Sequence, residues 1–570
     1  MSWVDDDCET ARDLRLDLSS ETPRIMKLAK TIVLTFATAG FAAGFQEPLW
    51  RTSLDDLSTY CYGIGWSLDG SQDFDGDGVR DVVVGSPYCL FTDGGVQILS
   101  GVTGAPLLEI GGNFPIGSAL LGRSVAALED VNSDGIPDLV AMAGTQGLTS
   151  LVFSGSTGDL LYELPVGQEL AFGLVPHAVV GIQDLDGDGV EDLLIGGSTE
   201  TPQSARVARV YSGATGGLVF DLSSPFPSGA GSPGTGFGWS VAAIEDLDGD
   251  AVEDILVGSI FAIDPVSGLT TGAVCVYSGA SGALLRIDYG NPVAAWNGAG
   301  LKAVPDQDGD GSGDYLVGSP LSAPAGSSPP LVELKSGATG AVLWSVGLNF
   351  RDFDLVGDFT GNGLLEWAAH DSGTEPIRAI QVRRVGTGEV VGRVHMAGSP
   401  VSFAAADDVN GDGFGDLFLG QGSSGVRLTA GCQSTGSVVC TSLPNSTGRV
   451  AGIDACLADD RLSLTSTALP LGEVGVWLAS TSTASVPLHG GVLCVGLPLL
   501  RINEGILTQF FPGRSPFYTS AHQVTTTIDL GQLPQGAAVV PGETWRFQFW
   551  FTDQAGVGSG NLSDAIEIAF

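Results

Sequence analysis

With 24 Lys and Arg against 65 Asp and Glu, this 570-residue chain carries a net charge of −41 although only 16% of it is charged. So acidic a balance leaves no basic patch to hold a nucleic-acid backbone or an anionic membrane surface. A hydrophobic share of 43% is ample for a core, and the 84 glycines follow no collagen period and serve turns.

Residues 1–25 hold seven acids and fit no targeting segment, which points to a start site set too early, with Met26 the initiator. From Met26, MKLAKTIVLTFATAGFAAG has Lys27 and Lys30, an apolar run from Thr31 to Ala43, and small residues Ala42 and Gly44 before Phe45. Residues 26–44 therefore read as a secretory signal, too short to span a bilayer. No later apolar run approaches membrane-spanning length, so the expected location is extracellular or at a cell surface, where disulfides are permitted.

The first informative segment is DFDGDGVRD, residues 73–81. Carboxylates about 4 Å apart repel by roughly 1 kcal/mol per pair in water and more where water is excluded. Calcium explains the crowding: it takes six to eight oxygens from carboxylates, carbonyls and water, around a turn that needs glycine at the sixth position. Asp73, Asp75, Asp77 and Asp81 occupy the first, third, fifth and ninth positions, Val79 offers a carbonyl at the seventh, and Gly78 is sixth.

The pattern recurs six times, at separations of 50 to 62 residues, so it marks a structural repeat. The second copy offers Asp130, Asn132, Asp134, Ile136 and Asp138; the third, Asp184, Asp186, Asp188, Val190 and Asp192. The fourth offers Asp246, Asp248, Asp250, Val252 and Asp254, with Ala251 where glycine is wanted; the fifth, Asp306, Asp308, Asp310, Ser312 and Asp314. The seventh offers Asp408, Asn410, Asp412, Phe414 and Asp416. The sixth has only Asp358, Thr360, Asn362 and Glu366 and is the weakest set, so six to seven calcium ions are expected.

An apolar run ending in small residues follows most copies, as in VVVGSP from Val82, ILVGSI from Ile255 and YLVGSP from Tyr315. Further on comes a turn signature, SGVTG at Ser100, SGSTG at Ser154, SGATG at Ser212 and Ser336, and SGASG at Ser278, flanked by short strand-like runs. Each unit is thus four short strands, the acidic loop joining the first to the second. One such sheet buries too little to stand alone, so the units must pack on one another, and seven sheets set radially make an all-β propeller.

The loop, the following strand ending in Gly-Ser-Pro, and Phe237-Gly238 ahead of the fourth copy resemble the FG-GAP repeat of integrin alpha-subunit propellers and of many bacterial secreted proteins. Most other copies keep only the glycine. The resemblance covers residues 45–431 and implies seven blades, calcium loops on one face, and partner contacts on the opposite face. The seventh unit lacks its own fourth strand, so FQEPLWRTS from Phe45 is expected to complete it.

Residues 432–570 carry no acidic loop and alternate apolar and polar residues between turns, as in TTTIDL and TWRFQFWFTD, which suggests a β-sandwich. Trp545, Phe547 and Trp550 are either a binding platform or core. Cys61 and Cys89 flank the first loop and form the expected propeller disulfide; among Cys432, Cys440, Cys456 and Cys494, the most local pairing joins Cys432 to Cys440 and Cys456 to Cys494. A zinc site at these four is the alternative, although the spacing lacks a CxxC. Cys275 is expected to be a buried free thiol.

No catalytic residue is assigned. The five histidines are scattered, and there is no GxSxG elbow or HExxH helix. The reading is a secreted, monomeric, calcium-stabilised propeller for adhesion or interaction, without catalysis, whose opposite face binds a protein or glycan. Long inserts at Ser223, Ser259 and Ser319 fall on that face. The rivals are a calcium-dependent polysaccharide lyase or hydrolase and a purely structural envelope or matrix protein.

Overall fold

The computed structural model describes residues 49–570 apart from 53–62, 89–93, 112–119, 144–147, 168–178, 198–206, 227–234, 292–295, 320–329, 372–378, 396–401, 421–425, 508–523, 554–559 and several shorter stretches. The leader, the Cys61 and Cys89 pair, Cys432 and the insert from Ser319 lie outside the described residues. The described residues are all-β, with no helix.

Four-stranded antiparallel sheets follow one another along the chain. The first comprises Ser67–Asp69, Val82–Gly85, Gly95–Leu99 and Pro106–Gly111, hydrogen-bonded in sequence order. Later sheets begin at Val125–Leu128, Val179–Ile182, Phe237–Ile244, Gly300–Val304, Phe350–Gly357 and Ser402–Ala406. In each, the acidic loop joins the first strand to the second, and in all but the sheet begun by Phe350–Gly357 the second strand is an apolar run that the sequence marks. Val82, Leu139, Leu193, Ile255, Leu316 and Leu417 are all fully buried there.

Both faces of these second strands are covered because each sheet packs against its neighbours. Val83, Leu139 and Phe153 share one cluster between the first two sheets, and Leu256, Val276 and Val317 share another further along. Val82 and Val84 of the first sheet pack with Phe418 and Leu428 of the sheet begun by Ser402–Ala406. The outermost strand of that last sheet is Trp50–Arg51, paired antiparallel with Val426–Thr429 so that Trp50 faces Leu428. The two ends of the repeat region are thus hydrogen-bonded into one sheet.

The C-terminal residues build a four-stranded sheet, containing Ile453–Ala458, Arg461–Ser466 and Val524–Asp529, and a five-stranded one, containing Val474–Ser480, Thr544–Thr552 and Gly560–Ala569. They enclose a shared core of Leu462, Leu464, Ile528, Trp477, Phe549 and Ile566. Trp545 and Phe547 belong to this core and Trp550 packs beside Val476 and Leu562, so the three aromatics are not an exposed platform. Strand alternation sends Trp545 and Phe547 toward the opposing sheet and Trp550 to the other face, where Val476 and Leu562 cover it.

The local pairing of the C-terminal cysteines is corrected. Cys440 is joined to Cys494 across 54 residues, with Cα atoms 6.2 Å apart, and Cys456 is also disulfide-bonded. Sheet order overrides proximity along the chain: Ser437–Cys440 is an edge strand beside Gly560–Ala569, and Gly491–Val495 packs over that same strand. A four-thiolate zinc site is excluded by this bond. Cys275 is buried and free.

Candidate metal centre

Each acidic loop is held in shape by its own backbone. In four loops the first aspartate accepts N–H bonds from the fourth and sixth residues, as Gly76 and Gly78 on Asp73 at 2.7 and 2.9 Å and Gly187 and Gly189 on Asp184 at 2.6 and 2.7 Å; in the loops at Asp130, Asp358 and Asp408 the donors are the fifth and sixth residues. The sixth residue reaches this bond only with positive φ, which is 89° at Gly78 and 89° at Gly189. Ala251 adopts the same conformation, φ 70°, and donates to Asp246 at 2.7 Å. The seventh residue donates to the fifth side chain throughout: Val79 to Asp77, Ile136 to Asp134, Val190 to Asp188, Val252 to Asp250, Ser312 to Asp310 and Phe414 to Asp412, all between 2.9 and 3.0 Å.

The ninth residue is different in kind. Asp81, Asp138, Asp192, Asp254, Asp314 and Asp416 are completely buried. Asp81 accepts Phe74 N–H on one oxygen at 2.7 Å and Gly101 N–H on the other at 2.8 Å. Gly101 is the glycine of SGVTG, and the same bond recurs from Gly155, Gly213, Gly279, Gly337 and Gly431. The serine of the motif reaches the fifth position: Ser154 Oγ donates to Asp134 and Ser212 Oγ to Asp188, both at 3.2 Å. Sequence reasoning treated SGxTG only as a turn. Its recurrence after each of the first five loops was the available signal that the two motifs meet.

Charge is distributed accordingly. Backbone donors hold Asp184, Asp246 and Asp306 below the usual carboxylate range. Burial pushes Asp81 and Asp138 up to about 6 and Asp416 to about 7. A nearby divalent cation is the charge that would return these buried acids to the ionised form.

Four loops gather three carboxylates with oxygens within 4.8 Å of one another: Asp73, Asp75 and Asp81; Asp184, Asp186 and Asp192; Asp246, Asp248 and Asp250; Asp306, Asp308 and Asp314. Hard oxygen donors in such number suit calcium. The loops at Asp130 and Asp408 have asparagine at the third position. In the loop at Asp358, the polar groups bond to one another instead: Thr360 Oγ1 donates to Glu366 at 2.5 Å, and Asn362 Nδ2 to Thr360 Oγ1 at 2.6 Å.

No family model matches the chain. Among curated proteins it is 29% identical to integrin alpha-5 of Xenopus laevis over 216 residues, 35% of this chain and 20% of that one. It is 29% identical to Xenopus laevis integrin alpha-4 over 265 residues (43% and 24%) and 28% identical to Gallus gallus integrin alpha-V over 217 residues (35% and 20%). The chain is integrin alpha-like. The match spans about a fifth to a quarter of the length of these relatives. Among solved structures, one of BBS1N in complex with ARL6DN covers 65% of this integrin alpha-like chain and 92% of its own at 13% identity, with a TM-score of 0.40, too loose for any assignment.

Proposed function

We propose that the chain is a secreted, calcium-stabilised, non-catalytic adhesion or interaction protein built on a seven-bladed propeller. The seven four-stranded sheets, the apolar cluster shared by the first and the last, and the Trp50–Arg51 strand support a closed ring. Calcium, held in the six better loops and most weakly in the loop at Asp358, locks the first two strands of each blade.

The observation that carries the binding role is the insert from Ser259. It leaves Asp254–Ser259 at the end opposite the acidic loop. Asp264 closes its turn by accepting Val266 and Ser267 N–H at 2.9 and 3.1 Å, and Ile263 bridges Thr270. This ordered turn leaves Val266 94% exposed, with Ile263 and Leu269 about half exposed. Apolar side chains displayed on a braced loop suit recognition of a partner.

The test is a panel of surface proteins and of acidic and neutral polysaccharides, probed with and without calcium. Calcium-dependent binding that is lost on Val266→Asp is expected. Chain cleavage of a polysaccharide would overturn the non-catalytic reading.

A further inference from the structure

The SGxTG turns are touched by the sheet that comes before. Four residues beyond the last glycine of the turn, the fourth strand carries Leu108, Tyr162, Phe220, Arg286 and Trp344 in successive sheets. The Tyr162 and Phe220 rings lie on the turn of the following sheet: a Cβ on Gly216 would come 2.8 Å from the Tyr162 ring, and one on Gly282 3.2 Å from the Phe220 ring. Tyr162 Oη donates to Gly213 O, and Arg286 Nη2 donates to Gly337 O at 2.8 Å. Trp50, on the strand that completes the last sheet, donates its Nε1 to Gly101 O at 2.6 Å. These are the glycines whose N–H groups hold Asp192, Asp314 and Asp81. Each glycine is thus fixed on both sides, by the ninth aspartate of its own sheet and by a donor from the sheet before.

This bond coincides with a difference between the carboxylate trios. In the loops at Asp73, Asp184 and Asp306, whose turns receive such a donor, the ninth aspartate belongs to the trio. The loop at Asp246 reads DLDGDAVED beside DLDGDGVED at Asp184, yet its trio is Asp246, Asp248 and Asp250, without Asp254. Its turn meets Phe220, which has a ring like that of tyrosine and no hydroxyl. At the loop from Asp358 a donor is present, Trp344 Nε1 bonding Val385 O at 2.8 Å, but Val385 replaces the glycine and gives its N–H to Leu365 O. The link to the ninth residue is broken there, in the weakest ligand set. Groups that hold a metal's ligands orient them, and a calcium loop is tuned by its rigidity.

Resting on the calcium reading above, we propose that Tyr162, Arg286 and Trp50 are positioning residues for the calcium sites of the following sheets, so that each of these sites is completed across a seam. Through Trp50, the loop at Asp73 is braced only once the two ends of the repeat region are joined.

Hydrogen exchange of the full chain, read by mass spectrometry of loop peptides across a calcium titration, gives each loop its own midpoint. Tyr162→Phe should raise the midpoint of residues 184–192 about fivefold, the worth of one net hydrogen bond, and leave that of residues 306–314 unchanged. Phe220→Tyr should lower the midpoint of residues 246–254, a gain that general loss of stability does not produce. An unchanged midpoint at residues 184–192, or an equal rise at both loops, would overturn the positioning role of Tyr162. No fall at residues 246–254 in Phe220→Tyr would overturn the part given to the hydroxyl. Exchange indifferent to calcium at every loop would overturn the calcium reading itself and this role with it, a failure distinct from the others.

Discussion

Arg80 Nε lies 3.1 Å from Asp407 Oδ2, so the eighth residue of the first acidic loop is paired with the residue that precedes the seventh. The same two positions meet between other neighbouring sheets: Glu191 accepts Glu129 N–H at 2.7 Å, and Glu253 accepts Gln183 N–H at 3.1 Å. The seam between the last sheet and the first is therefore built from the same positions as seams inside the series. Both Arg80 and Asp407 are about half exposed, so the pair itself contributes little. Arg80→Ala is expected to cost under about 1 kcal/mol in denaturant unfolding, and a larger loss would give this seam a special role in stability.

Calcium removal should act much more strongly. A ligand that binds only the folded state adds RT ln(1 + [L]/Kd) per site, about 1 kcal/mol at several times Kd. With several loops gathering carboxylates, scanning calorimetry should show a large fall in melting temperature in chelator, restored by calcium. An unchanged melting temperature sinks the calcium assignment.

The two classes of loop aspartate should separate in this assay. Asp192→Ala leaves the Leu185 and Gly213 N–H groups without their acceptor, which costs roughly 2–5 kcal/mol whether or not calcium is present. Asp186, an exposed member of the same carboxylate trio that accepts only the Asp188 N–H at 3.1 Å, should matter mainly in calcium. Equal losses in chelator for the two variants would contradict the division between bracing and ligating acids.

Ala251 holds a φ of 70° where equivalent loops have glycine. A non-glycine residue there is strained by about 1–2 kcal/mol, partly offset by the greater freedom of glycine in the unfolded chain. Ala251→Gly should therefore stabilise the protein by up to about 1 kcal/mol and tighten calcium at that loop. A lower melting temperature in calcium would refute it.

The Cys440–Cys494 bond closes a separation of 54 residues. In the chain-entropy account that is worth about 4 kcal/mol to the C-terminal sheets. The double change Cys440→Ser and Cys494→Ser should lower their unfolding midpoint and leave the calcium-dependent transition of the repeats in place, as followed by hydrogen exchange. Loss of both transitions together would show that the two regions unfold as one.

The sequence alone determined the repeat, its four strands and the chemistry of the loop, because each of these is local. Aspartates at alternate positions, glycine where φ must be positive, and an apolar run buried on both faces are encoded within about fifteen consecutive residues. The need for Trp50–Arg51 beside Val426–Thr429 was also legible, since one unit was short of a strand. Tertiary structure decided what depends on residues far apart in the chain. It placed the SGxTG glycine on the buried ninth aspartate, joined Cys440 to Cys494 in preference to nearer cysteines, and turned Trp545 and Phe547 into core. It also brought Asn297 to Glu333. Glu333 and Lys335 share a face by strand alternation, but no spacing rule links them to Asn297, which meets Glu333 only once the chain is folded.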